Sequence, residues 1–132
     1  MLCAAPTYLA RHGVPTTPED LGKHHCITGT DNGGESWQFD GPGGRTEVTI
    51  YGRLQVNNAM LRCDAARAGA GVLLCADYLV QSDLANGRLI QLLPAHTPAG
   101  STLHAVSPAH RAGSPKVRSL VRHLTAQLAD PE

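Results

Sequence analysis

Aromatic side chains are what this sequence has least of: they make up 4% of its 132 residues, with Trp37 and Phe39 the sole members of their types. Single-stranded nucleic acid needs several aromatic platforms to stack on, so RNA-binding modules of that kind are excluded. The core must be built from Leu, Val, Ile and Ala. Also missing is any apolar run near the roughly 18 residues that cross a bilayer, which predicts no membrane span. Met1-Leu2-Cys3 is too short for an export signal, and Cys3, Cys26, Cys63 and Cys75 form no CxxC pair. Free thiols in a reducing cytoplasm are the expectation.

Neither sign of charge is in excess: eleven Lys and Arg balance eleven Asp and Glu, so nothing global draws the chain to nucleic acid or to an acidic membrane. No acid occurs between Asp83 and Asp130, which makes the second half mildly basic. Hydrophobic residues at 42% and charged residues at 17% describe an ordinary globular chain. Its length fits one domain or a piece of a larger one.

Reactive signatures are lacking as well. There is no GxSxG elbow and no family signature around a cysteine, and the glycines at 41–44 and 69–71 match neither the phosphate-loop nor the dinucleotide pattern. An enzyme is not expected, nor a cofactor. The seven histidines invite a metal reading at His24-His25-Cys26, but neighbours on a strand point to opposite faces, so at most two of the three could meet one ion. Buried thiols and surface imidazoles explain them without a metal.

What is present reads as alternating strands and helices. Pro6–His12 has a proline suited to a first helical turn and ends at Gly13, and Thr17-Pro18-Glu19-Asp20-Leu21 predicts a second helix of one turn. Residues 25–28 form a candidate strand followed by the turn-forming GTDNGG at 29–34. Residues 36–40 and 46–50 alternate apolar and polar around Gly-Pro-Gly-Gly, which predicts a hairpin. Leu54 and Val56 continue the period of two, and Asn57-Asn58 then cap an Ala-rich helix stopped by Gly69 and Gly71. Val72–Cys75 is apolar throughout, as in a strand covered on both faces. Two short helical pieces, strands at 88–93 and 102–107, and a final helix from Ser114 complete the chain. In that helix Val117, Leu120, Val121, Leu124 and Leu128 recur at helical spacing. The order predicts an α/β domain with a mixed sheet.

The candidate binding site lies where the strand at 54–56 feeds its helix. Asn57, Asn58 and Ala59 leave backbone N–H groups free at a helix start, suited to a carboxylate or another anion. Capping alone accounts for the asparagines equally. Thr28, Gly29 and Thr30 could offer hydroxyls and amides to the same crevice, or form a plain turn. Cys75, ending a buried strand, could face that crevice or simply fill core. Lys116, Arg118 and Arg122 form a basic face that reads best as solvated, since no helix-turn-helix surrounds it.

The block Ala4-Ala5-Pro6-Thr7-Tyr8-Leu9-Ala10-Arg11-His12-Gly13-Val14-Pro15-Thr16-Thr17-Pro18-Glu19-Asp20-Leu21, followed by His24-His25-Cys26, strongly resembles the effector-binding region of LysR-type transcriptional regulators. Further blocks keep the same order: Trp37-Gln38-Phe39, Leu54 to Asn58, Ala68 to Gly71, Tyr78-Leu79-Val80, Gly87-Arg88-Leu89 and Ser114 to Arg118. The resemblance implies a fold like type 2 periplasmic binding proteins, with two α/β subdomains and a small effector in the cleft between them. Residues from about 8 to 98 would be the second subdomain, and 101–130 would return to the first as a strand and a C-terminal helix.

The winged helix-turn-helix of that family has no counterpart here, so DNA would be reached only through such a domain in the intact protein. Two positions depart from the pattern: Ala5 stands where serine is usual, and Cys75 where proline is frequent. The expected function is reversible sensing of a small, carboxylate-bearing metabolite. The other reading is a chain acting only through protein contacts. The apolar stripe of the last helix is expected to fold onto its own subdomain or to be buried in a homodimer.

Overall fold

The computed structural model describes residues 1–29, 34–98, 106–108 and 113–128. Two compact units divide the chain, residues 1–99 and residues 100–132. The first holds two sheets. In the larger the strands run in the order β5 (Leu54–Gln55), β2 (Cys26–Thr28), β6 (Val72–Leu74), β1 (Leu2–Ala4) and β7 (Ile90–Gln91). β2 is parallel to both β5 and β6, whereas β1 is antiparallel to β6 and β7, so the sheet is mixed.

Each face of this sheet carries its own core. Val72 joins Leu2, Ala4, Tyr8, Cys26, Trp37, Phe39 and Ile50 on one side. Leu73 joins Cys3, Ile27, Cys63, Ala66 and Val80 on the other. That division is the physical meaning of the uninterrupted apolar run at 72–75: neighbouring side chains of one strand enter different cores.

The first core is covered by α1 (Pro6–His12), by the 3-10 turn at Pro18–Lys23 and by the second sheet, in which β3 (Glu35–Gly41) lies between β4 (Gly44–Ile50) and β8 (Thr97–Pro98). Pro6 sits in the first turn of α1, and Gly13 closes it at φ 81°, donating its N–H to Leu9 O. Ala5 supplies no side-chain cap, which is the local consequence of the missing serine. The β3–β4 hairpin pairs Trp37 with Val48 and Phe39 with Thr46, and both aromatic rings are fully buried. Scarce as they are, the aromatics anchor the layer that the sequence predicted from alternation.

The opposite core is covered by α2 (Ala59–Arg67), which presents Cys63 and Ala66 to the sheet. Gly69, at φ 76°, follows its end in the left-handed region that glycine occupies without strain. Next come a 3-10 turn at Asp77–Leu79 and α3 (Gln81–Ala85). Asp83 is buried there and accepts from Arg67 Nε at 2.8 Å, with Arg88 Nε 2.9 Å away, so one carboxylate ties α2, α3 and the segment before β7.

Four expectations change. β1 and β8 were not anticipated, because three- and two-residue strands carry no period to read. The strand expected at 88–93 is confined to Ile90–Gln91. That expected at 102–107 lies mostly outside the described residues, and Val106 to Pro108 are not in a strand. The second unit contains α4 (Pro115–Leu128), opened by Pro115 as expected.

Candidate functional site

β5, β2 and β6 run parallel and end at one edge of the sheet. Thr28 closes β2 there with 2% of its surface exposed, and its carbonyl accepts the N–H of Val56 at 2.9 Å. This bond holds the exit of β2 against the exit of β5. Gly52 makes it possible, since a Cβ at that position would run into the Thr28 side chain. Directly beyond Val56 come Asn57 and Asn58, both exposed, and then α2.

Asn58 caps that helix in the expected way: its Oδ1 accepts the N–H of Leu61 at 3.0 Å. The amides of Ala59 and Met60 stay in a first turn that offers no intrahelical acceptor. Gly29, immediately after Thr28, donates its N–H to the Glu35 carboxylate at 3.0 Å. Thr28, Gly29, Asn57, Asn58 and Ala59 therefore lie along one edge, while Thr30 lies outside the described residues. The sequence reading missed Glu35, because nothing local shows that a residue beyond a glycine-rich loop folds back onto Gly29.

Cys75 follows β6 at the same edge, half-buried, with its N–H on Met1 O at 3.0 Å. Its thiol belongs to a cluster with Cys3 and Cys63 on the α2 side of the sheet. The neighbouring Cys3 thiol lowers Cys75 to about 7, and the same pairing, together with burial, raises Cys3. Burial pushes Cys63 up as well. Cys26, on the opposite face and bonded to Leu21 O at 3.6 Å, is pushed up to about 12 by burial.

A second polar group surrounds the buried Tyr8. Its hydroxyl accepts the N–H of His25 at 2.9 Å and bonds His24 Nδ1 at 3.0 Å, while its ring stacks on His12 with centroids 4.4 Å apart. Arg53 Nη1 reaches His25 Nε2 at 2.8 Å. Desolvation lowers both His24 and His25, and the Arg53 charge adds to the shift of His25. Among the described residues, no three His, Cys, Asp or Glu side chains are grouped to hold a metal ion.

Comparison with known proteins gives this arrangement its context. The family described as "LysR substrate binding domain" matches residues 1–129. The probable HTH-type transcriptional regulator LtrA of Klebsiella pneumoniae is 37% identical over 95 residues, covering 71% of this chain and 31% of that protein. The HTH-type transcriptional activator TtdR of Escherichia coli is 28% identical, covering 96% of this chain and 41% of that protein. In three dimensions the chain is similar to CrgA, a LysR-type transcriptional regulator from Neisseria meningitidis. The TM-score is 0.73 at 28% identity, covering 98% of this chain and 44% of that one. The chain thus spans less than half the length of these relatives, which are transcriptional regulators rather than enzymes. With its periplasmic-binding-protein-like α/β fold and a family match over nearly its whole length, the chain belongs to the substrate-binding domains of LysR-type regulators.

Proposed function

We propose that this chain senses a small carboxylate-bearing metabolite at the edge formed by Thr28, Gly29, Asn57, Asn58 and Ala59, with Thr30 and Cys75 flanking it, and so controls transcription in an intact regulator. The observation that carries this reading is the Gly29 amide, which already holds a carboxylate, that of Glu35, beside the opening turn of α2. An amide and a helix start together favour an anion at this edge. A ligand carboxylate would take the place of Glu35 and draw on the amides of Ala59 and Met60. Residues from about 8 to 98 would form the second subdomain and 101–130 part of the first. DNA would be bound by an amino-terminal domain of the cytoplasmic regulator.

Calorimetry of the 132-residue chain with a panel of organic acids tests this. One acid should give saturable heat, and Asn58→Asp, which keeps a favoured cap but places a negative charge in the site, should abolish it. A panel without heat, or binding unchanged in Asn58→Asp, overturns the reading. A second reading, action through protein contacts alone, is favoured by one observation: Leu120, Val121 and Leu124 of α4 are exposed.

A further inference from the structure

The contact between Gly29 and Glu35 joins two anchored segments. Glu35 opens β3 and stands opposite Ile50 in the β3–β4 ladder, and Ile50 is buried in the first core. The preceding residue, Gly34, lies so close to the partner strand that a Cβ there would come within 3.0 Å of the Thr49 side chain and 3.1 Å of the Tyr51 ring. The hairpin thus fixes the backbone that carries Glu35. Gly29 is held as well, because it follows Thr28, which is buried and whose carbonyl binds the Val56 amide. Across this gap Glu35 Oε2 lies 3.0 Å from the Gly29 nitrogen. No Lys, Arg or His pairs with Glu35 among the described residues, so the amide is its partner there. We propose that Glu35 is a specificity-determining residue of the ligand edge, a tethered competitor that excludes simple monocarboxylates and admits acids with further points of contact. This inference rests on the sensing role proposed above.

A tethered group competes at the effective concentration that its short tether sets, which is millimolar, whereas a free acid competes at its own concentration. Acetate offers the Gly29 amide the same single hydrogen bond as Glu35, so displacement gains it nothing. It must also share the edge with the freed Glu35 charge, which repels it. A carboxylate that holds the amide about nine-tenths of the time raises the Kd of any competing acid about ten-fold. An acid with a second polar group offsets that handicap through bonds that acetate cannot add, such as one to Asn57 while its carboxylate takes the amides at the opening of α2. Replacing Glu35 removes the competitor and its charge together, while the amides that bind remain. The edge then loses its filter and keeps its grip.

The test is NMR of the nitrogen-labelled 132-residue chain, with sodium acetate as the probe and sodium chloride at equal ionic strength as the control. In Glu35→Ala the Gly29 amide should exchange with solvent faster than in the native chain, and acetate should shift it saturably with a Kd at least about five-fold lower. Glu35→Gln, which keeps an acceptor without the charge, should fall between the two. A Gly29 amide that acetate leaves unmoved in Glu35→Ala, an equal Kd in both chains, or a shift that chloride reproduces overturns the proposal. Unchanged amide shifts away from the edge show that each variant keeps its fold. The two readings fail differently. If no acid of the calorimetric panel binds the native chain but Glu35→Ala admits acetate at Gly29, the sensing role falls and the competition stands. If a panel acid and acetate each bind the native chain and Glu35→Ala equally well, the competition falls and the sensing role stands.

Discussion

His24 and His25 show how a residue's neighbours set its chemistry. Both imidazoles are held below their ordinary value of 6.5, chiefly by desolvation around Tyr8, so the unfolded chain takes up protons first as the pH falls. Stability from this pair is fully present above about 6.5 and is lost as the pH drops through the lowered values. The melting temperature should fall between pH 7.5 and 5.5, and His24→Gln should shrink that difference; an unchanged difference in the variant would contradict this. Asp20, held below 3.8 by the amides of Thr16 and Thr17, keeps its charge across that range and does not confuse the reading. The cap of Asn58 was legible in the sequence because its acceptor and donor lie three residues apart. The contacts Gly29 to Glu35, Thr28 to Gly52 and Cys3 to Cys75 were not, since each depends on segments that meet only through folding.

Among the elements, α2 meets the exit edge of the sheet with its first turn and presents Cys63 to the core with its buried face. Asn58→Ala removes the bond to the Leu61 amide and should cost about 1 kcal/mol in urea denaturation, while Asn58→Asp should restore most of it. A loss as large in the aspartate variant would mean that Asn58 does more than cap. Helices of seven or more residues were readable from their starts, a proline in α1 and α4 and the Asn58 cap in α2, and the β3–β4 hairpin from its alternation around Gly-Pro-Gly-Gly. β1 and β8 escaped, and β7 was read too long, because the bounds of a strand of two or three residues are set by its partners and not by its own pattern.

Across the whole molecule, the mixed α/β fold was legible from element order, and its family from the blocks at 4–26 and 54–58. What covers α4 was not. Leu120, Val121 and Leu124 are 58%, 38% and 41% exposed, more apolar surface on one helix than an isolated chain in water favours. Self-association is the expected response: sedimentation should show a dimer that weakens in Leu120→Lys with Leu124→Lys. A monomer at all concentrations, unaltered by the double change, would exclude it.

The position of β1 has a consequence for assembly. Leu2–Ala4 is hydrogen-bonded between Val72–Leu74 and Ile90–Gln91, so an interior slot of the sheet is filled by residues synthesised long before either wall of that slot. Such distant pairing delays closure, because a large loop of chain must be drawn in before the contacts repay it. During translation this segment gains its first wall once residue 74 has cleared the ribosome and its second only after residue 91, and a chaperone that shields apolar stretches has a long window of action there.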